Sequence, residues 1–237
     1  MSNYDVLGQY YDSFMKFEPF FNDFIGKVLS IYKIEVDSVL EIACGTGRNL
    51  LYFNQSKQVY GLDLSPVMIQ RAKENIPNGH FILQDMVNFK IGQDFQLILC
   101  MFDSINHLKD YSQWISTFKS VYAHLKDKGY FIFDINTTYA LNLPVSKRTM
   151  FRQHQDDYLV MQYYNSGTDQ ATWDMNFFIH QDGDNYKHYF ESITEKSFEI
   201  QQIRSSLLEL FSNVEVLNEK LEFPSTEDSR VFFICKK

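Results

Sequence analysis

The chain has 237 residues, 45% of them apolar and 22% charged, a composition that supports one substantial folded core and excludes disordered and fibrous classes. Its formal net charge of −8 disfavours nucleic acid as a partner, because phosphate backbones are held by clustered Lys and Arg and the longest basic run here is Lys236 and Lys237. Cys44, Cys100 and Cys235 are odd in number and lie in apolar, strand-like stretches, so buried free thiols are expected; no apolar run has membrane-spanning length and the start "MSNYDVLGQYYDSF" lacks a signal-peptide layout, which predicts a cytoplasmic protein with no membrane partner.

In chain order, "YDVLGQYYDSFM" and "EPFFNDFIGKVLSIY" read as helices, with Phe20, Phe24 and Val28 forming a stripe on the second. From Val36 to Ile135 strands and helices alternate, the pattern of βαβ units and a parallel sheet. The strands are "VDSVLEIAC", "QVYGLDLS", "GHFILQD", "FQLILCMF" and "GYFIFDI". Helices are predicted at "TGRNLLYFNQ", "SPVMIQRAKENI" and "DYSQWISTFKSVYAHLKDKG"; in the last, Trp114, Phe118, Val121, Tyr122 and Leu125 share one face and Gly129 is the expected stop. After Ile135, "MFRQHQDDYLVMQYYNS", "ATWDMNFFIHQ" and "NYKHYFESITEKSF" are aromatic and β-branched, with turns at "NSGTDQ" and "QDGDN", and predict a small antiparallel sheet. The helix "SFEIQQIRSSLLELF" and two strands, "NVEVLNEKLEF" and "RVFFICKK", end the chain. The expected organisation is a helical lid over 1–35, an α/β domain over 36–147 and 196–237, and a β insert over 148–195.

The stretch "VLEIACGTGRNL" holds the chemical information. Gly45 and Gly47 remove Cβ atoms where the chain turns and where a ligand must approach the backbone, and a helix starting near Thr46 would aim free N–H groups at the same place. A dinucleotide fingerprint requires a third glycine, but Leu50 occupies that position, and the Glu41 carboxylate would repel a pyrophosphate while accepting hydrogen bonds from an ammonium group. Asp63, 18 positions beyond Gly45, can accept from both ribose hydroxyls, and Asp85 in "LQDM" can accept from an exocyclic adenine amine beside the Met86 N–H. Three acidic residues at three successive strand ends suit a cationic nucleoside, S-adenosylmethionine. There is no C-x-x-C and no H-E-x-x-H, so no metal is predicted.

With these motifs in place, residues 36–135 resemble the class I methyltransferases: "EIACGTGRN" is similar to their first motif, "GLDLSPVMIQRAK" to their second, "LQDM" to their third, and "LILCMFDSINHL" to the loop after their fourth strand. The resemblance implies a Rossmann-like, seven-stranded, mostly parallel sheet with an antiparallel last strand, plus the β insert after the fifth strand. "YYDSFM", "CMFDSINHL" and the insert further resemble the small-molecule N-methyltransferases, including sugar N,N-dimethyltransferases and glycine N-methyltransferase-like enzymes, although Asp103 and Asn106 depart from the sugar enzymes' loop. Cofactor contacts are then expected from Tyr11, Glu41, Ala43, Gly45, Thr46, Gly47, Asp63, Leu64, Met68, Asp85, Met86 and Met101. His107 is the candidate base, Asp103 the alternative base or orienting acceptor, and Tyr11 a lid residue beside the transferring methyl group. Tyr163, Tyr164, Trp173, His180 and His188 could wall the acceptor pocket or form a homodimer surface. The expected function is methyl transfer to an amine or hydroxyl of a small molecule; a nicotinamide-dependent oxidoreductase and a non-catalytic S-adenosylmethionine-binding module are the alternatives.

Overall fold

The computed structural model describes residues 5–15, 20–56, 58–143 and 148–237. Two helices, α1 (Asp5–Phe14) and α2 (Phe20–Tyr32), precede β1 (Ser38–Ile42); the expected starts of these helices at Tyr4 and at Glu18–Pro19 lie outside the described residues. Then come β2 (Gln58–Asp63), α3 (Pro66–Asn75), β3 (His80–Leu83), β4 (Phe95–Cys100), α4 (Tyr111–Ala123) and β5 (Leu125–Asn136). After α5 (Thr138–Asn142) follow the four strands β6 (Arg148–His154), β7 (Asp157–Gly167), β8 (Gln170–His180) and β9 (Tyr186–Lys196), and the chain ends with α6 (Ile200–Leu208), β10 (Asn213–Leu217) and β11 (Arg230–Lys236).

The main sheet has seven strands in the order β10-β11-β5-β4-β1-β2-β3, and β11 runs antiparallel to both its neighbours while the other pairs are parallel. Strand order reverses at β1, so the crevice beyond the carboxyl ends of β1 and β4 is where a ligand is expected in an open parallel sheet. All of β1 is buried, and Glu41 is its one charged residue. Helices cover both faces, Trp114, Phe118 and Val121 of α4 on one and Phe24, Val28, Ile69 and Ala72 of α2 and α3 on the other. This burial on two sides explains why the strands read as nearly unbroken apolar runs.

The insert is a separate antiparallel sheet, β6-β7-β8-β9. Leu159, Met161, Met175 and Phe177 on its inner face pack on Leu7 and Phe14 of α1. Polar contacts fix the same helix at both ends: Glu191 accepts from the N–H groups of Val6 and Leu7 at 2.8 and 2.9 Å, and Arg152 donates to the Phe14 carbonyl at 2.8 Å. The first N–H groups of a helix lack internal partners, and here a carboxylate from another element supplies them.

Several predicted elements differ. "TGRNLLYFNQ" forms a 3-10 helix of five residues, Asn49–Phe53, because its buried residues Leu50 and Phe53 are spaced by three and Asn49 is tied to Glu41. A helix N-terminus at Thr46 is therefore absent. Gly129 does not stop α4, which ends at Ala123 where His124 bonds the Ser120 carbonyl at 2.7 Å and accepts from the Ile91 N–H at 3.0 Å. Gly129 lies inside β5 at a register shift after Lys128 (φ 63°), and a Cβ there would sit 2.8 Å from the Lys126 carbonyl oxygen. The segment read as one strand from Met150 to Ser166 is the hairpin β6–β7, turned at Gln155 (φ 53°).

Candidate active site

The glycine turn connects β1 to the 3-10 helix through three left-handed residues, Ala43 (φ 54°), Gly45 (φ 53°) and Gly47 (φ 78°). The two glycines have different neighbours. A Cβ on Gly45 would find no atom within 4 Å, whereas one on Gly47 would meet Ala72, Ile76 and Phe81 at 3.4–3.5 Å. Gly45 thus faces open space, and Gly47 faces the packing of α3 and β3. Gly47 lines neither cavity of the site.

Asp63, at the end of β2, accepts from the Gly45 N–H at 2.9 Å and the Ser65 N–H at 2.8 Å. Its pKa is raised by burial and held down by these backbone donors. Glu41 is 1% exposed; one carboxylate oxygen accepts from Asn49 Nδ2 at 2.7 Å, and Oε2 has no partner among the described residues. Burial pushes its carboxyl up to about 8, opposed by the Asn49 bond and reinforced by Asp63 and Asp134. Beyond β3, Asp85 accepts from the Val87 N–H at 2.9 Å with its Oδ1.

Asp63 and Asp85 border one cavity of about 580 Å³, within the range of small-molecule sites. Gly45, Asp63, Leu64 and Met68 line it beside Asp85 and Met86, and Ala43, Tyr11 and His107 complete the predicted residues found there. A smaller adjoining cavity of about 70 Å³ holds Glu41, Thr46 and Met101, with Tyr11, Ala43 and Gly45 common to both. The structure therefore gathers twelve predicted residues around connected space, leaving out Gly47 and Asp103.

α1 crosses this space. The Tyr11 phenol is pushed up to about 12 by burial and by the nearby Asp103, and the Arg48 guanidinium lies 6.0 Å from its ring. Arg48 pairs with Asp12 at 2.6 Å and donates to the Asp12 and Met15 carbonyls at 3.0 and 2.6 Å. The Thr46 hydroxyl donates to Asp12 at 2.9 Å, so its side chain is tied to α1.

Past β4, Phe102 (φ 59°) and Asp103 (φ 49°) form a left-handed pair, a conformation that costs side-chain-bearing residues about 1–2 kcal/mol each. Arg230, at the start of β11, holds the turn. It bonds Asp103 at 2.7 Å and also Asp134, which in turn accepts from the Asp103 N–H at 3.0 Å. The Asp103 carboxylate is thus held in a partly buried ion pair. His107 lies in the 3-10 turn Ser104–His107, and its pKa is lowered by burial, with Asp103 and a bond to the Thr194 backbone opposing. A lowered pKa keeps the imidazole neutral near pH 7. Asn106, next to it, is structural: its Nδ2 donates to the Asn136 and Lys196 carbonyls and its Oδ1 accepts from the Asn136 N–H.

Arg230 and Asp134 escaped the sequence analysis, as did Glu195, which accepts from Trp173 Nε1 at 2.7 Å and Asn136 Nδ2 at 2.8 Å. Asp134 carried a signal, a carboxylate within the apolar run "GYFIFDI". The three residues are 96 or fewer positions apart, and no spacing rule links them.

Comparison with known proteins agrees with this geometry. Residues 39–129 match the family described as a methyltransferase domain. A solved S-adenosylmethionine-dependent methyltransferase from Clostridium acetobutylicum superposes with a TM-score of 0.83 at 25% identity, covering 94% of this chain and 92% of the other. Fold, glycine turn and matched domain are similar to those of the class I S-adenosylmethionine-dependent methyltransferases. Two further relatives narrow the resemblance. YqeM of Bacillus subtilis (strain 168), assigned as a methyltransferase with no acceptor stated, is 28% identical over 99% of this chain and 97% of its own. The dTDP-3-amino-3,4,6-trideoxy-alpha-D-glucopyranose N,N-dimethyltransferase of Streptomyces venezuelae is 32% identical over 40% of each chain. S-adenosylmethionine is the cofactor of this class, and two features of the structure fit it: the unpartnered buried Glu41 oxygen suits an ammonium group, and the space at Gly45 admits a ligand where a side chain would stand. No helix among the described residues is long and apolar enough to cross a membrane.

Proposed function

We propose that the protein methylates a small molecule at an amine or hydroxyl, in the cytoplasm, where reduced thiols such as its three free cysteines persist. The observation that carries this reading is the placement of Glu41, Asp63 and Asp85 at the carboxyl ends of β1, β2 and β3 around adjoining cavities. Glu41 would hold the ammonium group of the cofactor, Asp63 the ribose hydroxyls and Asp85 the adenine amine. Leu64, Met68, Met86 and Met101 offer apolar contact to the base, and Ala43 and Gly45 let the backbone approach.

The bound cofactor supplies an electrophilic methyl carbon with a neutral thioether as leaving group. The chain's own contribution is alignment, water exclusion and removal of one acceptor proton. Tyr11, carried on α1, covers the site and shields it from water. His107, kept neutral by burial, is the group able to take the proton of an incoming amine or hydroxyl. Asp103 and Arg230 hold the turn that presents it.

The test is formation of S-adenosylhomocysteine, followed by mass spectrometry, with a panel of amino sugars and other small amines and alcohols. Turnover with at least one acceptor, falling about 10²-fold or more in His107→Asn with cofactor affinity retained, is expected of a general base. Cofactor binding without turnover on any acceptor would favour a non-catalytic binding module. Tighter binding of NADH than of S-adenosylmethionine would favour an oxidoreductase.

A further inference from the structure

The insert borders the large cavity with the edge strand of its sheet. Among the described residues β9 is the terminal strand of that sheet and pairs with β8 alone. Two contacts fix which of its residues turn their backbone groups outward. Asn106 Nδ2 donates to the Lys196 carbonyl at 2.9 Å. His107 bonds the Thr194 backbone in a way that favours the protonated ring, which identifies the carbonyl as its partner. In an antiparallel pair each residue aims its N–H and C=O to the same side, and the side alternates along the strand. Ser192 is in phase with Thr194 and Lys196, so it too presents both groups away from β8.

The side chains agree with this phase. Thr194 lies opposite Thr172, and Ser192 opposite Asp174. Thr172 Oγ1 and Thr194 Oγ1 are 3.3 Å apart, and Ser192 Oγ donates to Asp174 at 2.8 Å. Such close side-chain contact belongs to the positions whose backbones do not bond each other. Ser192 and Thr194 line the cavity that also holds Gly45 and Asp63, and outside the strand ladder their N–H groups make no backbone hydrogen bond among the described residues. Both hydroxyls are engaged within the sheet, which leaves the backbone as the polar surface that β9 offers to a ligand.

We propose that the Ser192–Thr194 edge recognises the methyl acceptor through a lactam or imide edge, a ring N–H beside a C=O. An extended residue holds one donor and one acceptor side by side, and its complement is one acceptor beside one donor. A carboxylate could use the N–H alone and an ammonium the carbonyl alone. The remaining backbone donor, the Thr194 N–H, takes the second carbonyl of an imide. This inference rests on the methyltransferase reading, because the acidic strand ends then account for the cofactor and leave β9 to the acceptor.

The test loads the protein with S-adenosylhomocysteine and titrates it with uridine, which has an imide edge, and with 3-methyluridine, in which that N–H is blocked. Saturation-transfer NMR should show uridine binding and at least a tenfold loss with 3-methyluridine. Ser192→Pro deletes the outward N–H while sparing the ladder, since proline is tolerated on the free side of an edge strand; it should lose uridine and keep S-adenosylhomocysteine. Phe190→Pro, in the same phase but outside the cavity, should keep both. Amide exchange on the unmodified protein gives an independent readout should Ser192→Pro fail to fold: uridine should slow the Ser192 and Thr194 amides, and 3-methyluridine should not. Equal binding of the two nucleosides, binding of neither, or a Ser192→Pro variant that binds uridine normally would overturn the proposal. Failure of the unmodified protein to bind S-adenosylhomocysteine would instead overturn the cofactor assignment.

Discussion

Replacing Glu41 with glutamine tests how the site takes a cation. In the free protein, burial holds this carboxyl at about 8, so roughly one molecule in ten is ionised at pH 7. An ammonium group can use the unpartnered Oε2 fully only when the proton has left. Cofactor binding at pH 7 should therefore release close to one proton. Below pH 8 the logarithm of the association constant should rise by about one per pH unit; above it, affinity should fall as the ligand's own α-amino group, with a pKa of about 7.7–8.0, loses its proton. A hydrogen bond to a charged group contributes about 1.5–3 kcal/mol, so Glu41→Gln should weaken binding about ten- to 150-fold at pH 8 and abolish the rising limb. Stability shifts the other way. The folded pKa lies above the unfolded value of 4.5, so the stabilising contribution of Glu41 is complete below pH 4.5 and is lost as the pH rises through about 8. The ligand-free glutamine variant should then melt higher than the parent at pH 8 and equally near pH 4.5. Calorimetry in two buffers of different ionisation enthalpy measures the proton release. No proton release at pH 7, together with unaltered affinity of Glu41→Gln at pH 8, would refute the reasoning.

Arg230→Ala should leave the Asp134 carboxylate buried without its cation, a loss of about 3–5 kcal/mol. For a chain of this size that lowers the melting temperature by about 6–20 °C, and a drop below about 2 °C by calorimetry would contradict it. Gly45→Ala and Gly47→Ala both place a side chain at positive φ, but only the first points it into open space. Cofactor affinity should fall more than tenfold for Gly45→Ala with a stability loss of about 1–2 kcal/mol, while Gly47→Ala should lose stability and largely keep its affinity. The opposite ordering in calorimetric titration and thermal melts would reverse the roles assigned to the two glycines.

The acidic strand ends were legible because they are local: Glu41, Asp63 and Asp85 each sit at or just past the end of a strand, and such strands announce themselves by composition. The fold's alternation was legible for the same reason. The hairpin turn at Gln155 was missed because a non-glycine residue takes the left-handed conformation there without glycine's signature. The helix assigned after the glycine turn failed because residues 46–55 include the weak helix formers Thr46, Gly47, Asn49, Tyr52, Phe53 and Asn54, and the tertiary contacts of Asn49, Leu50 and Phe53 fix a short 3-10 turn instead. The Asp103–Arg230–Asp134 group depends on β4, β5 and β11 lying side by side, which is a product of topology. Asp103 looked like a free loop carboxylate only because its partner is 127 positions away.

β11 follows the other described strands in sequence and yet occupies an interior place in the sheet, flanked by β10 and β5. During synthesis, β5 must therefore wait with one margin unmet until β11 has been made, and the anchor that Arg230 supplies to the turn after β4 arrives at the same moment. Assembly of the cavity wall after β4 is in this way tied to the docking of β11, and a chain that stops before β11 lacks both that strand and the cation that holds the Asp103 turn.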